Sequence, residues 1–297
     1  MPTAWVMWFV IGAFIGSFLN VCAYRLPREQ SIVRPRSRCP SCEHPIVWYE
    51  NIPLFSYVGL RGRCRHCRGV IHWRYPVVEL ISGLAAVAVL TRFGVTPRGI
   101  AYLCFVWALI VASAVDFEFQ IIPDEISLGG LAVGLVVSSF VPALHGANHV
   151  LVGLQRSIVG ALVGGGVLYL TGTLGNLGLV GLRRLGVRLR RHPVWRARLA
   201  KYRHVKECMG GGDVKLLAMA GSVLGWKLAV LTFFLAPVIA IVPGIAVLVF
   251  KRSHVIPYGP FLSAALIVSL FFGERMLQLS GIEETMRLLW SYRGWAN

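Results

Sequence analysis

The sequence predicts an all-α polytopic membrane protein with about eight transmembrane helices. Three observations support this fold class. Of the 297 residues, 56% are hydrophobic and only 14% are charged, whereas about a quarter of the residues of a soluble domain are charged. Apolar runs recur along the whole chain, and most of them approach the roughly 20 residues that one crossing of a bilayer requires. Basic residues are concentrated in the segments between these runs.

The charge distribution indicates the orientation of the chain and its surroundings. The net charge is +17, and most of the excess lies in residues 25–75 and 183–206. Basic connections of membrane proteins stay in the cytoplasm, so we expect both segments there and both chain ends outside. A lipid bilayer therefore accounts for the positive charge, and we expect no nucleic acid as a partner. Residues 1–24 lack the basic start and the cleavage site of a signal peptide, so we interpret them as a retained span.

The spans follow one another in a simple order. Small residues in the first span, Gly12, Gly16 and Ser17, favour close packing against another helix. A polar break precedes the fourth span, and a glycine run precedes the short sixth span. The predicted spans are residues 4–24, 77–93, 99–115, 126–144, 151–182, 214–224, 226–250 and 261–272. By organisation, the chain divides into a first transmembrane helix (1–24), a cytoplasmic loop (25–76) and a membrane part (77–297) with a basic insertion (183–206).

Four of the seven cysteines predict a metal site in the loop. Cys39 and Cys42 form one Cys-x-x-Cys pair, Cys64 and Cys67 form a second, and 21 residues separate the pairs. Four thiolates at such spacing are typical of tetrahedral structural zinc. Disulfides are not expected, because the cytoplasm keeps thiols reduced. Since all four positions would be occupied by Cys, we expect Zn²⁺ to hold a cytoplasmic zinc-binding loop together and not to perform chemistry; the alternative is four thiols without metal.

Two carboxylates are the candidate catalytic groups. Asp213 follows the glycine run 210–212 and enters the sixth span, and Asp116 ends the third span. Ionisable groups at membrane depth are costly and are functional by default. The alternative for Asp213, and the simpler interpretation for Asp124, is an N-cap of the following helix. Glu118 is expected to be a solvated charge at the membrane boundary.

The predicted topology places Asp116 and Asp213 at cytoplasmic helix ends, where they can meet. Two adjacent carboxylates share a proton. One can then take a proton from water while the other donates one to a substrate carbonyl. Gly210 and Gly212 would let an extended substrate lie against such a site. This chemistry hydrolyses a peptide bond without a metal or a serine nucleophile, and no Gly-x-Ser-x-Gly or His-Glu-x-x-His stretch competes for the role.

With these residues identified, the chain resembles the type IV prepilin peptidases, which are GxGD intramembrane aspartyl proteases. The resemblance runs from Gly12 to about Ala265. The shared motifs are Gly16-Ser17-Phe18-Leu19-Asn20-Val21, Tyr24-Arg25-Leu26-Pro27, the two Cys pairs, Glu50-Asn51-Ile52-Pro53, Leu60-Arg61-Gly62-Arg63-Cys64, Arg74-Tyr75-Pro76, Asp116 through Pro123-Asp124, Glu207, Gly210-x-Gly212-Asp213-Val214-Lys215 and Tyr258-Gly259-Pro260-Phe261.

The resemblance implies a bifunctional enzyme of the bacterial cytoplasmic (inner) membrane that serves type IV pili or type II secretion. It implies eight spans, a site facing the cytoplasm, and cleavage of prepilin or pseudopilin leaders after a Gly. The new N-terminal residue is then methylated with S-adenosyl-L-methionine. Asp116 and Asp213 match the catalytic pair, with Gly210, Gly212, Lys215 and Asp124 in supporting positions. Gly62 is the best-matched position for methylation in the loop, and Glu50, Asn51 and Glu79 are further candidates for binding the methyl donor.

Several alternatives remain open at this stage. One alternative is a peptidase without methyltransferase activity that uses the zinc loop only as a scaffold. A transporter would need polar residues deep in several spans, and these spans are nearly free of them. A non-enzymatic assembly factor would explain the cysteines but not the paired Asp. The basic insertion 183–206 and Cys208 depart from the family pattern, and the substrate's identity and the oligomeric state are open.

Overall fold

The computed structural model describes residues 2–188, 209–251 and 257–279, which form a bundle of helices around a small loop region. From residue 189 onward, the predicted basic insertion 183–206 lies outside the described residues, as do Glu207 and Cys208. The helices are α1 (Pro2–Arg25), α2 (Phe55–Gly59), α3 (Arg74–Phe93), α4 (Pro97–Phe119), α5 (Asp124–Phe140), α6 (Val150–Arg188), α7 (Gly211–Leu224), α8 (Trp226–Lys251) and α9 (Gly259–Leu279). Short 3-10 turns cover Leu26–Arg28, Trp48–Asn51 and Pro142–His145.

Six of the described helices are long and apolar enough to cross a membrane, so the chain is a multi-pass membrane protein. They are α1, α3, α4, α6, α8 and α9. The predicted fourth and sixth spans also form helices, but α5 has 17 residues and α7 has 14. Each of the eight predicted spans therefore corresponds to a helix, and two of these helices are shorter than a standard span.

Glycines allow the helices to approach closely, and they do so in two groups. In the first group, α1 packs on α3. A Cβ atom added at Gly16 of α1 would lie 2.8 Å from the Cα atom of Glu79, which confirms the predicted role of the small residues. In the second group, α7 packs between α5 and α6. At their crossing, a Cβ atom on either Gly160 or Gly221 would lie 2.0 Å from the backbone oxygen of the other, so α6 and α7 touch backbone to backbone.

A buried apolar core joins the two groups of helices. Its largest fully buried side chains include Val106 and Leu109 of α4, Leu216 and Leu217 of α7, and Leu262 and Leu266 of α9. These three helices carry Asp116, Asp213 and Gly259 at or near one end. The core therefore fixes the relative positions of three chain segments that are far apart in sequence.

Candidate active site and zinc loop

The four paired cysteines converge on one point. Their sulfur atoms all lie within 4.8 Å of one another, and the sulfur atoms of Cys39 and Cys67 are 3.8 Å apart. Tetrahedral zinc with Zn–S bonds of about 2.3 Å places its ligands roughly 3.8 Å apart. The four residues thus fit a closed tetrahedral site, and the sequence predicted this grouping.

Each cysteine pair sits in the same kind of turn. The amide of Cys39 donates to the carbonyl of His44 at 2.9 Å, and the amide of Cys64 donates to that of Gly69 at 2.8 Å. An isolated β-bridge closes each turn, Arg38 with Pro45 and Arg63 with Val70. The two turns therefore hold the sulfur atoms in place through backbone hydrogen bonds, which is the arrangement of a structural metal site.

Asp116 is buried inside α4 and not at its end. Its side chain is 6% exposed, and the helix continues for almost one turn beyond it, to Phe119. The sequence analysis ended this span at residue 115, so the predicted boundary was too early. One carboxylate oxygen, Oδ2, accepts a hydrogen bond of 2.8 Å from the backbone amide of Gly259. The side chain is thereby fixed in orientation.

Asp213 lies in the first turn of α7, and its neighbours Gly212 and Lys215 contact Ile122 and Asp124 in the segment that follows Asp116. Gly210 is the N-cap residue of this helix, and no side chain caps it. The alternative that Asp213 is an N-cap is therefore wrong. The structure brings together the two carboxylates that the sequence singled out, as a catalytic pair of acids requires.

The first residue of α9, Gly259, and the preceding Tyr258 form a third side of this site, and the sequence did not predict this role. Gly259 holds Asp116, and a Cβ atom at Gly259 would lie 2.7 Å from the Oδ2 atom of Asp116 and 3.0 Å from its Cγ atom. Burial, together with the charge of Asp213, raises the pKa of Tyr258 to about 12. Tyr258 thus keeps its proton near the pair. The motif Tyr258-Gly259-Pro260-Phe261 was recognisable in the sequence, but nothing in it indicated a contact with Asp116.

The glycine run before Asp213 is explained in part by close packing. A Cβ atom at Gly212 would lie 3.1 Å from the Cβ atom of Ile122, in the connection between α4 and α5. A Cβ atom at Gly210 would lie 3.0 Å from the Oδ2 atom of Asp213 itself. Gly211 has nothing within 4 Å of such an atom. Gly210 and Gly212 therefore let the chain pass close to the Asp213 carboxylate and to the α4–α5 connection.

Asp124 forms an ion pair and does not cap α5. Its Oδ1 atom is 2.6 Å from the Nζ atom of Lys215, while the N-cap position belongs to Pro123 and has no side-chain hydrogen bond. The N-cap interpretation was therefore wrong. Lys215 follows Asp213 by two residues, and Asp124 follows Asp116 by eight. The ion pair joins the two chain segments that carry the carboxylates.

Glu118 is exposed at the membrane boundary, as predicted, and it also contacts two arginines. It forms an ion pair with Arg74, at the start of α3, and its Oε1 atom is 3.9 Å from an Nη2 atom of Arg28. These arginines lie just before and just after the loop that contains the zinc cluster. Glu118, the residue before the end of α4, therefore ties both ends of the zinc loop to the helix that carries Asp116.

A cavity of about 1440 Å³ lies between the zinc loop and the membrane helices. Its lining includes three of the four predicted methyl-donor residues, Glu50, Asn51 and Glu79. Gly62 does not line it. Gly62 adopts a φ of +66°, and a Cβ atom there would lie 3.0 Å from the hydroxyl oxygen of Tyr57, which does line the cavity. The structure thus brings Glu50, Asn51 and Glu79 to one cavity and places Gly62 behind its wall.

Glu79 connects the loop to the helices. Its side chain is 8% exposed, and its Oε2 atom accepts a hydrogen bond of 2.8 Å from the amide of Leu54. Leu54 has a φ of +63°, a conformation that is strained for a branched side chain. The bond to Glu79 therefore supports the strained turn that follows Glu50 and Asn51.

Comparison with known proteins agrees with this geometry. Residues 10–93 match the family model described as the bacterial peptidase A24 N-terminal domain, and residues 103–245 match the type IV leader peptidase family. A Stutzerimonas stutzeri protein named prepilin leader peptidase/N-methyltransferase is 35% identical, over 93% of each chain. A Pseudomonas aeruginosa protein of the same name is 33% identical, over 95% of this chain and 97% of its own. No solved structure matches.

The fold and the paired carboxylates define a membrane-embedded aspartic peptidase. The identities extend over nearly the full length of both relatives. The chain belongs to the type IV leader peptidase family.

Proposed function

We propose that this chain removes the leader from prepilin or pseudopilin proteins with Asp116 and Asp213, and then methylates the new N-terminus with S-adenosylmethionine. The curated relatives that match the chain carry both activities in their name. The observation that carries the peptidase assignment is that the buried Asp116 and Asp213, in the first turn of α7, lie on segments joined by the Asp124–Lys215 ion pair. The packing of Gly212 against Ile122 joins the same two segments. An intact zinc loop with a large adjoining cavity supports the second activity.

The cleavage step needs only the two carboxylates and water. One carboxylate takes a proton from water while the other, protonated, donates to the carbonyl oxygen of the scissile bond. The water oxygen forms a bond to the carbonyl carbon, the C–N bond breaks, and the leaving nitrogen takes up a proton. The Gly259 amide orients Asp116 for this exchange. Burial in the protein keeps the pair coupled, since a low dielectric strengthens their interaction.

The methyl donor is proposed to bind in the cavity beside Glu50, Asn51 and Glu79. When bound, S-adenosylmethionine supplies an electrophilic methyl group. Glu50 is paired with Arg65 at 3.6 Å, and Asn51 accepts a weak hydrogen bond of 3.5 Å from Ser17. These contacts fix the polar wall of the cavity, while the Cys cluster fixes the loop that carries it. Gly62 influences this wall through its close contact with Tyr57, which lines the cavity.

We place the enzyme in the bacterial inner membrane with the carboxylate pair facing the cytoplasm. The support is the basic character of the loop between α1 and α3, since basic connections stay inside. The partners of the enzyme would then be lipid and the apolar N-terminal segment of its substrate, whose basic leader lies on the same side of the bilayer.

Mass spectrometry of a co-expressed prepilin's N-terminus tests the function. We expect a cleaved product that carries one extra methyl group, about 14 Da. The Gly62→Ser variant should give cleaved product with at least about tenfold less methylation, because a side chain at this positive φ displaces Tyr57. Cleavage without methylation by the wild type would instead support the second candidate, a peptidase whose zinc loop is only a scaffold. A leader that remains attached would contradict the peptidase assignment.

Zinc loss should affect methylation more than cleavage. The Cys67→Ser variant removes one of four ligands, and we expect at least about tenfold less bound zinc. The loop then loses its fixed geometry, so methylation should fall while most leader cleavage remains. Metal analysis and both assays provide the measurement. Cys104→Ser, which changes an exposed cysteine of α4 outside the cluster, is the matched control. Equal loss of both activities in Cys67→Ser would show that the loop also supports the carboxylate pair.

Reversing charge at Lys215 should lower cleavage, and a second reversal should restore it. Lys215 and Asp124 are partly exposed, and such pairs contribute about 0–1 kcal/mol. Lys215→Asp places two acids together, so we expect about a fivefold lower kcat/KM for the leader. The double variant Lys215→Asp/Asp124→Lys should return to within about twofold of the wild type. A double variant as slow as the single one would show that the pair does not position the site.

A further inference from the structure

One buried residue of the cavity has an acceptor without a donor. Asn20 of α1 is 1% exposed, and it lines the cavity between the zinc loop and the helices. Its Nδ2 atom donates to the backbone oxygen of Tyr75 at 3.0 Å. Its Oδ1 atom has no hydrogen-bond partner among the described residues. Leaving a buried acceptor unpaired costs about 1–3 kcal/mol, so the orphaned oxygen points to a ligand that brings a donor.

The surroundings of Asn20 favour a ligand with positive charge. Gly16, one turn earlier on α1, packs against Glu79 of α3, since a Cβ atom there would lie 2.8 Å from the Cα atom of Glu79. Tyr75, whose oxygen Asn20 bonds, lies one turn before Glu79 on α3, so Asn20 and Glu79 occupy neighbouring levels of the contact between the two helices. Among the ion pairs of residues 2–188, 209–251 and 257–279, none involves Glu79. The cavity thus offers a buried acid without a cation next to a free acceptor.

Two of the arginines that line the same cavity are held by other partners. Both terminal nitrogens of Arg25 donate to backbone oxygens at 2.7 Å, those of Ser31 and Pro35. Arg74 is paired with Glu118. Neither arginine forms an ion pair with Glu79. An ammonium group fits both acceptors, the Oδ1 atom of Asn20 and the carboxylate of Glu79.

The cavity also reaches the carboxylate site. Pro260 and Ser263 of α9 line it, and Pro260 is the neighbour of Gly259, which holds Asp116. Leader cleavage releases a new α-amino group on the mature chain, and this group is mostly protonated at neutral pH, with an ordinary pKa of about 7.7–8.0. The amine is therefore formed next to a cavity whose far wall carries the matching acceptors.

We propose that Asn20 Oδ1, flanked by Glu79, accepts a hydrogen bond from the free α-amino group of the cleaved chain and holds it beside the methyl donor. This inference rests on the proposed function, because it assigns the amine subsite of the methylation step. It gives a role to the Asn of the Ser17-Phe18-Leu19-Asn20 motif. The subsite selects an uncapped N-terminus, so uncleaved prepilin, which has a peptide bond at this position, is not methylated.

Peptide binding to the zinc-loaded full chain in detergent micelles tests the proposal without the methyl donor. The probe is a fluorescent peptide that begins with Phe and has a free amine, compared with its N-acetylated form. The wild type should bind the free amine at least about tenfold more tightly, which corresponds to 1.4 kcal/mol. In Asn20→Leu this preference should fall to about twofold or less. Ser82→Ala, which alters a buried residue of α3 that also lacks a hydrogen-bond partner but does not line the cavity, should keep the full preference.

Equal binding of the two peptides by the wild type would overturn the proposal, whether or not the variants fold. If Asn20→Leu weakens binding of S-adenosylmethionine while the peptide preference stays, the acceptor serves the methyl donor and the amine assignment is wrong. The proposed function is judged separately, by leader removal and methylation in the wild type. A wild type that performs both reactions but shows no preference for a free amine keeps its function and loses this subsite.

Discussion

The Asp213→Asn variant should leave the leader attached, with at least about a 10³-fold lower kcat for cleavage. The amide keeps the size of the side chain but neither takes a proton from water nor shares one with Asp116. Asp116→Asn should behave in the same way. The two residues act as a unit, so the loss of one carboxylate lowers kcat nearly as much as the loss of both. The measurement is the rate of leader release from purified prepilin in micelles.

The matched control for this change is Glu125→Gln, the same acid-to-amide exchange at an exposed position in the first turn of α5. It should cleave within about twofold of the wild type. Zinc content of each variant reports whether the rest of the chain is intact. Cleavage by Asp213→Asn at a tenth of the wild-type rate or faster would remove Asp213 from the mechanism.

The Gly259→Ala variant should lower kcat for cleavage by about 10²-fold, although it adds only one methyl group. A Cβ atom there would lie 2.7 Å from the Oδ2 atom of Asp116, closer than real contacts allow. Asp116 must then move away from the amide that orients it. A displacement of about 1 Å at a reacting group costs about 10²-fold. KM should change little, because the substrate's binding surface is elsewhere. Steady-state kinetics of leader cleavage separate the two parameters.

Gly211→Ala provides the control, because Gly211 is also the first residue of a helix near the site and has open space around it. It should remain within about threefold of the wild type. If Gly259→Ala cleaves as fast as Gly211→Ala, the bond from Gly259 to Asp116 does not matter for catalysis.

Local patterns were sufficient to predict the elements of the fold. Apolar runs predicted the helices, because burial in lipid demands such runs, and Cys-x-x-Cys spacing predicted the zinc turns. The same kind of pattern failed at Asp124. A carboxylate at a helix start is usually a cap, but the structure places Lys215 next to Asp124, and it adds two arginines next to the exposed Glu118. Their partners come from distant helices, which no local pattern contains.

The residues of the candidate site likewise differ in whether a local pattern predicts them. Asp116 and Asp213 stand out because charge is rare in apolar segments. Gly259 does not stand out, since its role depends on a contact with a residue 143 positions away. The same holds for Asn20, because only the packing of α1 against α3 shows that its Oδ1 atom is buried without a hydrogen-bond partner. Sequence reasoning finds unusual residues, whereas packing shows which ordinary residues they meet.

The shortness of α7 has a consequence for the water that the reaction consumes. A helix of 14 residues is about 21 Å long, whereas the hydrocarbon layer of a bilayer is about 30 Å thick. The backbone contact between Gly160 and Gly221 fixes α7 against the much longer α6. α7 therefore cannot shift along α6 towards either membrane surface. At the end that carries Asp213, the missing length leaves room for water, and we expect the water that the reaction consumes to reach the carboxylate from that side of the membrane.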